Sequence, residues 1–330
     1  MTRKLSSLTF FSYLCKQKRT NYMEQSFRQL LRASFKSEDT EEWLDVYFTR
    51  PIGLAFALFW NKFDVHPNTI TILSMFLGAA AGWMFHYTDL ASNLWGVLLL
   101  VLANFCDSTD GQMARLTGKK TLLGRMLDGL SADVWFFCIY LALVIRLWNQ
   151  PIPGLNIQWG FWGLGLGAMA GFLSHTPQCA LADYYRQIHL FFLLGKEGSE
   201  LDSYKQQREI YESLPKSKWL DRLFYLNYAN YCHGQERRTP HFQRFFAAYQ
   251  QLPEGGVKES TRQAFLEGSR PLMKYTNMLT HNTRATVLFI TACLNCPWIY
   301  MLFEVIVLNL MMAYMHRTHE NLCKKLLARL

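Results

Sequence analysis

Apolar residues in this chain are gathered into long runs, which fall between about residue 69 and residue 190 and again between about 275 and 317. A strand of a soluble protein would instead alternate apolar and polar positions. Apolar stretches of roughly 18 residues or more are typical of transmembrane helices, because a helix of that length crosses the hydrocarbon core of a bilayer. The pattern predicts an all-α fold, a polytopic membrane bundle of about six transmembrane helices.

Turn and helix-breaking residues divide these runs. The predicted spans cover residues 69–87, 94–106 (continuing as a polar helix to 115), 121–148, 159–188, 275–295 and 297–315. The apolar stretch at 52–60 is too short to cross a bilayer and predicts an N-terminal interfacial helix. A second amphipathic helix is predicted over 23–35. The predicted organisation is a basic N-terminal segment (1–42), the interfacial helix with four spans (43–190), a polar helical insert (191–274), and two spans with a tail (275–330).

Charge supports a membrane location and argues against nucleic-acid binding. The chain has a net charge of +9, and its Lys and Arg residues flank the apolar runs without forming a basic stripe in a separate soluble domain. The connections 88–93, 149–157 and 295–297 contain no Lys or Arg. Because positive charge stays on the cytoplasmic side, both termini and the insert are predicted to be cytoplasmic, in a bacterial inner membrane.

Four aspartates lie at the basic ends of the second and third spans: Asp107, Asp110, Asp128 and Asp133. Ionisable groups in membrane spans are costly, so they indicate function. Asp107 and Asp110 are three residues apart and share a helix face. Converging carboxylates need a counter-charge, which Mg²⁺ or Mn²⁺ supplies through oxygen ligands. Two such ions would bridge a diphosphate.

The residues that follow Asp110 suit a phosphate group. Gly111 has no side chain, so a ligand can approach the backbone closely, and Ala114 is small. Arg115 offers a planar guanidinium that binds phosphate. The alternative is an acidic cluster that only pairs with neighbouring cations such as Arg115, Arg125 and Lys119.

The order and spacing of these residues resemble a known family. Asp107-Ser-Thr-Asp110-Gly111-Gln-Met-Ala114-Arg115, followed by Gly124 and Asp128, is similar to the signature D-x2-D-G-x2-A-R-x8-G-x3-D-x3-D of the CDP-alcohol phosphotransferases. The wider resemblance covers about 43–190 and 275–317, including Pro67-Asn68 and Arg186. It implies a phospholipid-biosynthetic transferase that moves a phosphatidyl group from CDP-diacylglycerol to a small alcohol and releases CMP.

The resemblance also implies roles for individual residues. Asp107, Asp110 and Asp128 would hold the metal ions, and the family's last aspartate would be both a metal neighbour and the base that activates the acceptor hydroxyl. The CDP site would be lined by Asn68, Gly111, Ala114, Arg115 and Thr121. The family also tends to form homodimers.

The chain departs from the signature at its last aspartate. Four residues after Asp128 stands Ala132, and Asp133 is five residues on. In a regular helix a step of five turns ~140° away from Asp128, whereas a step of four turns only ~40°. We therefore predict a π turn between Asp128 and Asp133 that returns Asp133 to the site as base and metal ligand. The alternative is that the base is lost.

The acceptor is suggested by cations beyond the motif. Arg186, Lys274 and Arg284 lie near or within the later apolar runs and predict a phosphorylated acceptor, such as inositol phosphate or glycerol phosphate. In the alternative, the acceptor is a neutral or zwitterionic alcohol such as serine, and the two arginines pair with Asp183 or Glu304. An ion transporter or an inactive membrane scaffold are the alternatives from other classes.

Small residues recur at helical spacing in two spans, as Gly78/Gly82 and Gly163/Gly167/Gly171. Such spacing lets helix backbones approach closely. It predicts either packing inside one bundle or a homodimer interface.

Overall fold

The computed structural model describes residues 27–34, 37, 39–119 and 121–330, and predictions that concern residues 1–26 lie outside this range. Among the described residues regular structure is entirely helical, which confirms the predicted all-α class. The α-helices are α1 Phe27–Ser34, α2 Arg50–Lys62, α3 Pro67–Phe85, α4 Leu90–Thr117, α5 Leu122–Leu147, α6 Gly160–Ala168, α7 Thr176–Leu194, α8 Tyr204–Ser213, α9 Trp219–Arg238, α10 Pro240–Gln251, α11 Gly256–Ser269, α12 Met273–Met278, α13 His281–Cys293, α14 Pro297–Phe303 and α15 Asn309–Leu327. Short π segments are Asp45–Thr49, Met169–His175 and Glu304–Leu308, and 3₁₀ turns are Lys196–Gly198 and Arg270–Leu272.

Among the described residues, four helices are long and apolar enough to cross a membrane. They are Pro67–Phe85, Leu90–Thr117, Leu123–Leu147 and Pro297–Leu327, the last of which joins α14 and α15 through a π segment. The predicted count of six is not confirmed. The predicted span 275–295 is divided between α12 and α13, and α13 has 13 residues. At 1.5 Å per residue that is about 20 Å, short of the ~30 Å hydrocarbon core.

The chain forms two compact units, Met1–Leu147 and Trp148–Leu330. In the first unit, polar residues set where the membrane helices begin and end. Asp89 Oδ1 accepts a hydrogen bond from the Ser92 amide (2.8 Å) at the start of α4, which lowers the pKa of Asp89. Helix α4 ends at Gly118, whose φ of 69° is left-handed and stops the helix.

Close packing of α3 on α5 organises the first unit. A Cβ on Gly78 would lie 2.0 Å from Cδ1 of Trp135, and a Cβ on Gly82 would lie 2.9 Å from the backbone carbon of Cys138. Only glycine fits at both positions. This small-residue face therefore packs inside the unit, which is the first of the two uses considered for it.

At the end of the first unit opposite the aspartates, a buried arginine links three helices. Arg146, in the last turn of α5, donates from Nη1 to the Phe85 carbonyl (3.0 Å) and to Asn93 Oδ1 (2.8 Å). A buried guanidinium is tolerated only when it is hydrogen-bonded. Arg146 thereby fixes the end of α3 and the start of α4 against α5.

The second unit has an aromatic core to which the polar insert contributes. Phe192 of α7 lies with its ring centroid 4.1 Å from that of Phe265 in α11, and Phe245 of α10 stacks on both. Glu320 of α15 accepts hydrogen bonds from the backbone amides of His241 (2.8 Å) and Phe242 (3.3 Å) and so caps α10. Helices of the insert are thus packed against α7 and α15.

Candidate active site

Three of the four predicted aspartates meet where α4 ends and α5 begins. One carboxylate oxygen each from Asp107, Asp110 and Asp128 lies within 4.8 Å of the others. Asp107 and Asp110 are one turn apart on α4, and Asp128 comes from α5. Asp110 is buried, Asp107 is half-buried and Asp128 is exposed, so the group opens on one side.

The Asp110 carboxylate is suited to a cation. Its side chain is 3% exposed, and Oδ2 has no hydrogen-bond partner among the described residues. A buried carboxylate oxygen without a partner is costly, and two neighbouring carboxylates raise that cost. A divalent cation with a preference for oxygen ligands would remove both penalties. The three residues therefore fit the metal site that the motif implies.

Ser131 is a member of this site that the sequence did not reveal. Its hydroxyl lies 2.8 Å from Asp107 Oδ1 and 2.8 Å from the Asp128 carbonyl oxygen, and the side chain is fully buried. Ser131 stands three residues after Asp128, on the same face of α5. The three-residue spacing could have indicated Ser131 from the sequence. The family signature, however, leaves the positions between its last two aspartates variable.

The predicted π turn between Asp128 and Asp133 is wrong. Helix α5 is a continuous α-helix from Leu122 to Leu147. Asp133 is exposed on the first unit and is not a member of the group formed by the three other aspartates. A regular helix turns the fifth residue ~140° away, so backbone hydrogen bonding prevails over the spacing of the motif. The roles predicted for Asp133 as base and metal ligand depended on that turn.

Two residues predicted to line the nucleotide site come together at the start of α5. Thr121 Oγ1 accepts a hydrogen bond from the Gly124 amide (2.9 Å). A Cβ on Gly124 would lie 2.8 Å from Asn68 Oδ1 and 3.0 Å from Thr121 Oγ1. The glycine of the motif therefore lets the Asn68 amide and the Thr121 hydroxyl approach α5.

Arg115 lies beside the glycine of the motif, one turn further along α4. A Cβ on Gly111 would lie 3.5 Å from Arg115 Nη1, and Arg115 Nε is buried without a hydrogen-bond partner in the part of the chain that the structure describes. Ala114 beside it is half-buried. A guanidinium with an unused donor is suited to an anionic group such as phosphate.

The variable positions of the motif bind the interfacial helix. Gln112 Nε2 donates to the Arg50 carbonyl (3.1 Å), and Ser108 Oγ donates to the Thr49 carbonyl (3.4 Å). A Cβ on Gly53 would lie 2.7 Å from both side chains. Helix α2 is therefore held on the end of α4 that carries the aspartates, a contact that the motif spacing alone did not predict.

Two of the predicted acceptor-binding residues lie in the second unit on α7 and α12. Arg186 donates from Nη2 to Asn277 Oδ1 (3.0 Å), and its Nε is buried with no partner among the residues described. Asp183 instead accepts from Gln187 (3.2 Å) and Tyr231 (3.3 Å). The Lys274 ammonium lies 4.9 Å from the centroid of the Tyr275 ring. Arg186 therefore keeps donor capacity for an anion.

Arg284, the third predicted acceptor-binding residue, is fully buried within the second unit. It pairs with Glu304, and it also hydrogen-bonds His175 Nδ1 (2.8 Å), Gln178 Oε1 (2.7 Å) and the Leu279 carbonyl (2.9 Å). This ion pair is the alternative considered for Arg284. Groups of the unit itself surround the guanidinium, so its observed role is to satisfy a buried carboxylate.

Comparison with known proteins identifies a family over part of the chain. Residues 64–185 match the CDP-alcohol phosphatidyltransferase family. This segment is a CDP-alcohol phosphatidyltransferase domain. It contains Asn68, the whole of α4 and α5, and the carboxylate group, and it ends just before Arg186.

Curated relatives each match part of the chain. An uncharacterised protein of Aquifex aeolicus is 36% identical over 117 residues, 35% of this chain and 52% of that protein. A phosphatidylinositol phosphate synthase of Streptomyces avermitilis is 35% identical over 82 residues, 25% of this chain and 32% of that protein. A putative cardiolipin synthase of Mycobacterium bovis is 29% identical over 147 residues, 37% of this chain and 66% of that protein. The chain thus spans from about a third to two thirds of the length of these relatives.

Proposed function

We propose that this protein transfers the phosphatidyl group of CDP-diacylglycerol to the hydroxyl of a small alcohol and releases CMP, a step of phospholipid biosynthesis. The observation that carries the proposal is the carboxylate group of Asp107, Asp110 and Asp128, with the unpartnered Asp110 Oδ2 inside the matched domain. The names of two relatives, a phosphatidylinositol phosphate synthase and a putative cardiolipin synthase, support the same reaction class.

In this proposal the residues of the site divide metal binding, phosphate binding and positioning among them. Asp107, Asp110 and Asp128 hold divalent metal, Mg²⁺ or Mn²⁺, which when bound neutralises charge on the diphosphate and on the departing CMP. Arg115 binds phosphate oxygen through its unused donor. Ser131 orients the Asp107 carboxylate through its hydroxyl.

We assign four residues to the binding of the CDP portion of the donor: Asn68, Gly111, Ala114 and Thr121. The Asn68 amide and Thr121 hydroxyl meet at Gly124, where polar groups are available to a nucleotide. Gly111 leaves the backbone of α4 open beside the Arg115 guanidinium.

The acceptor hydroxyl must lose a proton as its oxygen attacks phosphorus and the bond to CMP breaks. A base for that proton must lie within hydrogen-bond reach of the hydroxyl. We assign this task to Asp128, because it is the exposed carboxylate of the group. This assignment replaces the one made for Asp133.

We place the site at the cytoplasmic face of a bacterial inner membrane. The support is the distribution of charge: the connection 88–93 has no Lys or Arg, whereas the end of the first unit that carries the aspartates also carries Arg115 and Lys119. Homodimer formation, through the face of Gly163, Gly167 and Gly171, stays a prediction.

For the acceptor we propose a phosphorylated alcohol, inositol phosphate or glycerol phosphate. Arg186 Nε has no partner among the described residues, Lys274 adds a second cation in the second unit, and one relative is named a phosphatidylinositol phosphate synthase. The pairing of Arg284 with Glu304 removes one of the three cations from this argument, so serine or another uncharged or zwitterionic alcohol is the second candidate.

A panel of acceptors tests the proposed function. The purified full-length protein, with CDP-diacylglycerol and Mg²⁺ or Mn²⁺, is expected to release CMP with inositol phosphate or glycerol phosphate and to form the matching lipid, identified by mass spectrometry. Turnover with serine alone would select the second candidate. Absence of CMP release with every acceptor of the panel, together with ion flux in liposomes, would contradict the transferase and support a transporter.

Replacing Arg186 with alanine should weaken the acceptor more than the donor. Loss of a charge-assisted hydrogen bond costs about 1.5–3 kcal/mol, so the acceptor KM is expected to rise roughly 10- to 150-fold. The KM for CDP-diacylglycerol should change by less than about threefold, which is the size of effect expected from a surface substitution. Arg208→Ala, which removes an exposed arginine paired with Glu212, is the matched control. Equal losses for both substrates would contradict an acceptor role.

A further inference from the structure

The site that the family motif describes has one carboxylate fewer in this protein. Three aspartates meet at the end of α4, and the helix that supplies the third is regular through residues 122–147. In a two-ion centre the ions are roughly 3.5–4 Å apart, so the site must supply enough oxygen ligands and negative charge for both. Each carboxylate that α5 lacks lowers the charge available to a second ion.

At the position where α5 would supply a second metal ligand beside Asp128, the side chain is only a methyl group. Residue 132 is four residues after Asp128 and lies ~40° from it around the helix, so the two residues share a face of α5. This residue is Ala132, which has no ligand atom. Asp133, next to it, is turned ~140° from Asp128 and is outside the carboxylate group.

Ser131, three residues after Asp128, is already engaged. The Ser131 hydroxyl is fully buried and lies 2.8 Å from Asp107 Oδ1. It holds a carboxylate in place, and a neutral hydroxyl adds no negative charge for a second cation. Asp110 is 3% exposed, and its Oδ2 has no hydrogen-bond partner among the described residues, which favours a cation held among the three aspartates.

We propose that the carboxylate site of this protein binds a single divalent cation, and that Ala132 is the residue that limits it to one. The proposal rests on the proposed function only in taking Asp107, Asp110 and Asp128 as metal ligands. It replaces the two ions that the motif predicts, and it makes Asp133 dispensable for metal binding.

The test counts Mn²⁺ on the full-length protein in detergent, by equilibrium dialysis with elemental analysis and by electron paramagnetic resonance. The bound Mn²⁺ is expressed relative to an Asp107→Asn/Asp110→Asn variant, which corrects for adventitious sites. Wild type is expected to bind one ion per chain with no spin coupling between ions. Asp133→Asn should also bind one, with a Kd within about twofold of wild type, as for a surface change.

Adding the missing carboxylate should create the second site. Ala132→Asp is expected to bind two ions, with the spin-coupled signal of a close Mn²⁺ pair, whereas Ala132→Asn, of the same size, should still bind one. If Ala132→Asp does not fold, wild type and Asp133→Asn decide the question. Two ions in wild type, falling to one in Asp133→Asn, would overturn the proposal, as would no ion above the background variant.

The outcome is separate from that for the proposed function. One bound ion without CMP release on any acceptor would leave this inference standing and sink the transferase. CMP release with two bound ions in wild type would contradict this inference and support the transferase.

Discussion

Replacing Asp107, Asp110 or Asp128 with asparagine is expected to reduce CMP release by roughly a thousandfold or more. An asparagine amide is neutral and cannot balance a divalent cation, whose contribution to such reactions is several kcal/mol. The largest loss is expected at Asp110, because its carboxylate is buried and Oδ2 has no other partner among the described residues. The measurement is CMP release from CDP-diacylglycerol under saturating metal and acceptor.

Asp133→Asn is the matched control for this series. It makes the same chemical change on α5, five residues from Asp128, but outside the carboxylate group. We expect near-normal turnover. If Asp133→Asn is inactive and Asp128→Asn is fully active, the base is Asp133 and the assignment to Asp128 is wrong. Near-normal turnover of Asp110→Asn would contradict the metal site itself.

Replacing Glu304 with alanine is expected to destabilise the protein by about 3–5 kcal/mol. The carboxylate is fully buried and pairs with the equally buried Arg284, so its removal leaves an uncompensated guanidinium in the core of the second unit. Glu304→Gln should cost less, because an amide oxygen still accepts a hydrogen bond. Unfolding in detergent, followed by circular dichroism, measures the difference.

Two comparisons make this expectation specific. Glu254→Ala removes an exposed carboxylate paired with Lys258 and should change stability by less than about 1 kcal/mol. The double variant Glu304→Ala/Arg284→Met should lose less than the sum of the single changes, because the two residues share one interaction. If Glu304→Ala loses no more stability than Glu254→Ala and raises the acceptor KM, Arg284 would again be a candidate for binding the acceptor.

The carboxylate site shows how far spacing alone can predict structure. Asp107 and Asp110 are one turn apart on a helix, so their shared face follows from the sequence. Their meeting with Asp128 depends on how α4 and α5 cross. The Gly78 and Gly82 contacts show what sets such packing: at these two positions α3 approaches α5 so closely that a Cβ would collide with it.

The wrong π turn has a physical reason. The family spacing required Asp133 to return to the site, but a π turn must be stabilised by its surroundings, and an α-helix needs no such support. Ser131, between the two aspartates, instead meets Asp107 by hydrogen bonding. No rule of periodicity indicates which of two adjacent polar residues will find a partner on another helix.

The sequence by itself determined the all-α class, the three long apolar helices from 67 to 147, and the residues of the family motif, because hydrophobic run length and residue spacing along a helix are local properties. Only the tertiary structure decided that Ser131 joins the carboxylates, that Gln112 and Ser108 hold α2, and that Arg284 pairs with Glu304. Those contacts join residues from 20 to 62 positions apart. Their partners are set by which helix faces pack together, and that depends on side-chain shape across the whole unit.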